Sequence, residues 1–308
     1  MQAERANFIS RLDALRSACD EALLINTADK LHNERAKQLR CGVCVMIFSS
    51  LEEFIRSRVE SVLKTLNPTS LPLQYLPDRL RSAATFGAMQ SILFQHKYIP
   101  ESQRDAIIAT ELKSLASVAE QNYKISKYAF VHSGSNVQVA EITSLLEAMC
   151  VEKPWETLYY IAKKLSLATV NPLKAEFENL SSNRHAAAHS QNFNIPNIDL
   201  KGSVESALAI GIALDVVLTS AVRNLNSCMA IYQKIQDTKG SAIEIYFISE
   251  VSVRKKFKLH KEGVKNPVDQ HADLNQLKAV SLQKLVGKVG VVLVHDGSYK
   301  PREWYCEA

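Results

Sequence analysis

The chain has 308 residues, of which 46% are hydrophobic and 22% charged, so it is long and apolar enough to bury a sizeable core and does not have the composition of a disordered protein. Ten glycines and nine prolines are few for this length, which favours long helices over a sandwich or barrel of many short strands. A formal charge of +5 permits a nucleic-acid partner without requiring one.

The N-terminal segment lacks the basic-then-apolar pattern of a secretory signal. No apolar run approaches the roughly 18 residues of a membrane span. We therefore expect a cytoplasmic protein with no membrane partner.

Apolar residues spaced three and four apart predict a mostly α protein built as an antiparallel helical bundle. The predicted helices cover 2–29, 35–66, 78–94, 102–122, 138–149 and a segment opened by Pro154. Asn171-Pro172 and Ser181-Ser182-Asn183 each predict a further helix start. The last helix, from Ser203 to about Asp237, is apolar on most faces and is therefore expected near the bundle centre.

The pattern changes near residue 240. Ile243, Ile245 and Phe247 follow a period nearer two, and residues 289–294 form a β-branched run, so both segments are predicted strands. We expect a helical domain over 1–239 and a small α+β appendage over 240–308. A unit of that size needs the bundle or a partner for stability.

An arginine followed within a few residues by a histidine occurs twice, as Arg184 to His189 and as Arg254 to His260. The first pair follows Ser181-Ser182-Asn183 and includes three alanines, which predicts that it lies on the first turns of a helix, where free N–H groups favour a bound phosphate. The second pair lies in a basic stretch after a strand and is interpreted as a chance match.

The segment Asn183-Arg184-His185-Ala186-Ala187-Ala188-His189 resembles the signature of HEPN domains, in which arginine, a polar residue, three to five further residues and histidine follow one another. The stretch from Leu39-Arg40 to Phe54-Ile55 is similar to the second helix of the RiboL-PSP group of HEPN proteins. The turn Ser133-Gly134-Ser135-Asn136 is similar to one in the same group. The order of the predicted helices resembles that of the group over roughly residues 1–237.

The resemblance implies a homodimer whose two motif helices form one composite site for RNA cleavage, with no metal ion or other cofactor. His189 is then the acid/base candidate, Arg184 the phosphate clamp and His185 an orienting or second acid/base group, because such side chains transfer protons and hold phosphate charge. Asn183 is at most a helix cap or a substrate contact. Arg184 and His189 are about 140° apart around an ideal helix, whereas His185 and His189 share one face.

Other polar residues have structural explanations beside functional ones. His185 and His189 have the spacing of two zinc ligands, but Ala186 stands where a metalloprotease needs glutamate. Cys41 and Cys44 are expected to pack in the core. Glu52 is expected on a polar helix face, paired with Arg56, while Glu53 is a weaker candidate to reach the dimer site.

The densest basic cluster contains Arg254, Lys255, Lys256, Lys258, Lys261 and Lys265. Its members suit contact with an RNA backbone, and the first four are candidate substrate-binding residues. A solvated edge strand protected by lysines would look the same.

The functional hypothesis is an endoribonuclease acting on tRNA or mRNA as a toxin or anti-phage effector, restrained by an antitoxin, a sensor or a partner subunit. The appendage is the candidate for docking that partner or for substrate choice. The alternative is a dimeric HEPN-like module that binds RNA or protein without cutting it.

Overall fold

A computed structural model describes residues 2–66, 73–120, 123–167, 171–230, 237–251 and 256–306. The N-terminal part is a helical bundle and the C-terminal part is a small mixed sheet. The predicted fold class, a mostly α bundle with a small α+β appendage, is therefore confirmed.

The bundle is built from long helices joined by short segments. Within the described residues these are α1 (Gln2–Ala18), α2 (Lys30–Thr65), α3 (Asp78–Ser82), α4 (Ala88–Gln95), α5 (Glu101–Ser117), α6 (Val139–Ala148), α7 (Pro154–Lys164), α8 (Leu173–His189) and α9 (Asn197–Ala230). A π-helical turn joins α3 to α4. Asp29 caps α2 by accepting from the Leu31 amide at 2.9 Å, and Pro154 occupies the first turn of α7 as predicted.

Several helix boundaries differ from the predictions. Helix α2 begins at Lys30 rather than 35, α5 ends at Ser117 rather than 122, and α9 begins at Asn197 rather than 203. Helix α1 ends at Ala18 rather than near residue 29, because Leu23 and Ile25 face solvent and do not continue a buried stripe. The helix start predicted at Ser181 is also wrong: α8 already begins at Leu173 and continues through this segment. The burial of Phe177 and Leu180 against the core outweighs the preference of serine and asparagine for helix starts.

Helix α9 lies at the bundle centre, as predicted, with Ile212, Val216 and Leu218 fully enclosed. By length and composition alone it would be able to cross a membrane, but 94% of the apolar window is buried inside the protein. This is the pattern of a core helix, which is apolar on all sides because other helices surround it.

The C-terminal part is a five-stranded sheet within the described residues, with strand order β3-β2-β1-β4-β5. Its elements are β1 (Glu244–Val251), β2 (Lys256–Lys261), β3 (Asp269–His271), α10 (Leu274–Leu285), β4 (Gly290–His295) and β5 (Pro301–Tyr305). Strands β1 and β4 are parallel and the other neighbours are antiparallel. Both predicted strand segments are therefore confirmed as β1 and β4.

The sheet is covered on both faces. Ile245 and Leu293 belong to the core of the bundle, whereas Tyr246 and Ile248 pack with α10, as expected when alternate residues of a strand face opposite sides. The division into domains at residue 240 stays a prediction, since bundle and sheet share one hydrophobic core.

A buried charge network joins sheet and bundle. Asp215 of α9 is fully enclosed and accepts from Arg5 Nε at 2.6 Å, Arg58 Nε at 2.7 Å and Trp304 Nε1 at 2.7 Å. Burial alone would raise the pKa of Asp215, but the charges of Arg5 and Arg58 outweigh burial and lower it. Because Trp304 lies on β5, the terminal strand supplies part of the polar centre of the bundle.

Candidate active site

The segment Asn183–His189 forms the last two turns of α8, and the Ser190 amide closes the helix by donating to the Ala186 carbonyl at 2.8 Å. The prediction that Arg184 and His189 lie on the first turns of a helix is therefore wrong. A phosphate at this segment meets the carbonyl end of α8, so the free N–H groups of a helix start are not available to it. Side chains, rather than backbone N–H groups, therefore have to bind a phosphate at this segment.

The two histidines form an exposed pair. His185 and His189 are separated by one helical turn, and their ring centroids are 4.8 Å apart with the planes inclined at 53°. The prediction that they share one face is confirmed. Both rings are open to a molecule approaching from outside.

Arg184 points to a different side of α8, about 100° from His185 on an ideal helix. Its side chain is half-buried, and the buried Nε atom has no hydrogen-bond partner. Among the described residues the Arg184 side chain makes no hydrogen bond and no ion pair. A guanidinium left in this condition suits a bound anion, because burying an unpaired polar group costs free energy and phosphate accepts two parallel N–H bonds.

Glu52 is a buried carboxylate beside this arginine, and sequence reasoning misplaced it on a solvated helix face. It is 8% exposed, and its Oε1 accepts from the Val137 amide at 2.6 Å. Burial raises the pKa of Glu52, while the Val137 amide and the charges of Arg56 and Arg184 act to lower it. Position 52 comes four residues after Phe48, which is fully buried, and this spacing was a signal of its burial.

The predicted pairing of Arg56 with Glu52 is also corrected. Arg56 donates to the carbonyl oxygens of Val131 and Ser135, both at 3.2 Å. Helix α2 therefore holds the turn before α6 with one acidic and one basic side chain. Glu53 points elsewhere: it is exposed and forms an ion pair with Arg11 of α1.

The predicted basic cluster lies on the sheet. Lys256 is exposed and Lys258 half-buried on β2, while Arg254 and Lys255 lie outside the described residues. Strand β2 is not an edge strand, since it pairs with both β1 and β3. The sheet docks on α9 at Asp215, about 27 Å along that helix from its first residue, Asn197.

The motif ends at His189, eight residues before the first residue of α9, so its histidines lie near the start of that helix. The lysines of β2 belong to the sheet, which contacts α9 further along, at Asp215. Among the described residues no hydrogen bond or ion pair joins these two sets of predicted site residues.

No group of three or more metal-ligating side chains occurs in the part of the chain that the structure describes. Cys41 and Cys44 are buried on α2, as predicted for core residues, and burial raises the pKa of Cys44 to about 11. Such a thiol packs as a small apolar side chain. The absence of a metal from the reaction stays a prediction.

A comparison with known protein families identifies the family of this chain. A family model described as RiboL-PSP-HEPN matches residues 6–220. The chain belongs to the RiboL-PSP-HEPN family. No curated protein and no solved structure matches it.

The RiboL-PSP-HEPN match runs from α1 into the second half of α9. It includes the whole motif segment and excludes the sheet. HEPN families are often ribonucleases, so the family indicates a possible function of that type. The functional features of this RiboL-PSP-HEPN protein should therefore be sought first in the bundle.

Proposed function

We propose that this protein is an endoribonuclease that cleaves RNA without a metal ion, using Arg184, His185 and His189. The observation that supports the proposal most is that two exposed imidazoles and an arginine side chain with no hydrogen-bond or ion-pair partner among the described residues lie within the last two turns of α8. Asn183 is a further substrate contact beside them.

The reaction follows from the chemistry of these groups. His189 removes the proton from a ribose 2′-hydroxyl, whose oxygen attacks the adjacent phosphorus. Arg184 stabilises the charge on the pentacoordinate phosphate, and the bond to the 5′-oxygen breaks. A protonated imidazole, His185 or a partner's histidine, supplies a proton to that oxygen. The products are a 2′,3′-cyclic phosphate and a 5′-hydroxyl, so no further reactant is consumed.

The active site is composite in this proposal. Arg184 and the histidines point to different sides of one helix, and a second copy would bring the arginine of one subunit to the histidines of the other. Helix α2, which packs along α8, carries exposed Leu39 and Met46 at seven-residue spacing with solvent-exposed Gly42 between them. An exposed apolar stripe of this kind is suited to contact with another subunit.

The biological role we propose is that of a toxin or anti-phage effector acting on tRNA or mRNA in the cytoplasm. Such an enzyme has to be restrained, and the sheet beyond residue 240 is our candidate for docking an antitoxin or sensor. Lys256 and Lys258 add sequence-independent contacts to a long RNA in the same proposal.

The experiment uses labelled tRNA and mRNA in EDTA, with identification of the product ends. We expect His189→Ala and Arg184→Ala to lower the cleavage rate by about a hundredfold or more. His96→Ala, at an exposed histidine after α4, is the matched control and should leave the rate unchanged. Mixing the two inactive variants should restore part of the activity if arginine and histidine act from different subunits.

Two results would decide against the proposal. Equal inertness of wild type and His189→Ala on every RNA would instead support a binding module. Cleavage that disappears in EDTA would refute the metal-free reaction.

A further inference from the structure

A groove of about 800 Å³ lies between α6 and α8, and the α8 wall of this groove leads to the histidine pair. Ser181 and Ser182 line the groove, and steps of three or four residues lead from them to His185 and then to His189. Residues at this spacing lie on one face of a helix. The groove and the two imidazoles thus form one continuous surface.

The groove is rich in uncharged polar groups. Among the described residues the hydroxyl groups of Ser144, Ser181 and Ser182 make no hydrogen bond, whereas the exposed Gln138 amide at the start of α6 donates to the Asn136 carbonyl at 3.4 Å. Thr143 is already engaged, because its hydroxyl accepts from Trp155 Nε1 at 2.9 Å and donates to the Val139 carbonyl at 2.8 Å. Several donors and acceptors are therefore available to a ligand.

The charge of the groove is nearly balanced. Lys174 and Glu178 both line it and are 4.0 Å apart on successive turns of α8. A balanced pair gives little attraction for phosphate, in contrast to Arg184 at the motif. Hydroxyl and amide groups instead hydrogen-bond the base edges and 2′-hydroxyls by which single-stranded RNA is recognised.

We propose that this groove binds the base and ribose of an unpaired nucleotide next to the scissile phosphate, and so determines which RNA sequence is cut. The volume lies within the range of small-molecule sites. The inference rests on the proposed ribonuclease function for the position of the cut, but RNA binding by the groove is testable without cleavage.

The test fills the groove with a large side chain. Ala140 and Ser144 are exposed on the groove side of α6, so Ala140→Trp and Ser144→Trp block it without disturbing the core. Ala109→Trp, at an exposed alanine of α5 outside the groove, is the matched control. Thermal melting checks that all three variants fold like the wild type.

Two measurements separate the groove from the reaction. Sequencing of cut sites in a random RNA pool should show a base preference at one position beside the cut, which both groove variants weaken and the control keeps. RNA binding is measured by fluorescence anisotropy of a labelled oligonucleotide, with each substitution made in the His189→Ala protein so that the RNA is not cut. Each groove substitution should weaken binding about tenfold, as expected for the loss of one base contact.

The outcomes are distinguishable. If the wild type cuts RNA and the groove variants keep the base preference and the RNA affinity of the wild type, the groove inference fails while the ribonuclease proposal stands. If nothing is cut but RNA binding falls only in the groove variants, the ribonuclease fails while the groove stands as an RNA site. If RNA does not bind, or binds equally to all variants, or single-stranded DNA binds as well, the inference is overturned.

Discussion

Replacing Asp215 by asparagine should strongly destabilise the fold. The carboxylate compensates two guanidinium groups in the bundle interior, those of Arg5 and Arg58, and accepts from Trp304. Asparagine has nearly the same shape, so the packing is retained while the negative charge is lost. Removing one partner of a buried ion pair typically costs about 3–5 kcal/mol, because a charge remains buried without compensation.

The measurement is urea unfolding at neutral pH, followed by far-UV circular dichroism. Glu205→Gln is the control. Glu205 lies on α9 like Asp215, and its carboxylate forms a more exposed ion pair with Arg16 of α1. We expect a cost of about 1 kcal/mol or less for this control. A cost for Asp215→Asn no larger than that of the control would refute the reasoning and show that the arginines find other compensation.

Two further predictions concern His132 and Glu52. Burial, with the nearby charges of Arg56 and Lys127, lowers the pKa of His132 from 6.5 to about 4. As the pH falls from 6.5 towards 4 the unfolded chain therefore binds a proton that the folded protein does not, and stability present above pH 6.5 is lost. Between pH 6.5 and 4 the free energy of unfolding of the wild type should fall by about 3 kcal/mol more than that of His132→Asn. Parallel pH profiles for the two proteins would contradict the lowered pKa of His132. Glu52→Gln keeps an acceptor for the Val137 amide but removes the charge beside Arg184, so we expect RNA cleavage about tenfold slower with an unchanged melting temperature, whereas Glu53→Gln should behave as wild type.

The architecture was predictable wherever local signals and packing agree. Helix α2 follows its apolar period, α7 begins at Pro154, and β4 is a short β-branched run, so each of them was predicted close to its observed position. At Ser181 the two signals conflict. Serine and asparagine favour a helix start, but burial of Leu180 one residue earlier holds the segment inside α8.

The candidate site was predictable only in part. The motif identified Arg184 and both histidines, and helical spacing correctly placed the two rings on one face. The neighbours of Arg184 were not predictable, because Glu52 is far away in sequence and its burial depends on how α2 packs. The contact between Trp304 and Asp215 spans 89 residues, and no periodic pattern reports a contact at that separation.

That long separation has a consequence for synthesis on the ribosome. At about 5–20 residues per second, Trp304 is added roughly 5–20 seconds after Asp215. During that interval the nascent bundle holds its two arginines and the carboxylate without the indole that completes their surroundings. The bundle that carries the proposed nuclease residues therefore matures late, which would give the proposed restraining partner time to reach the chain before the proposed enzyme is fully formed.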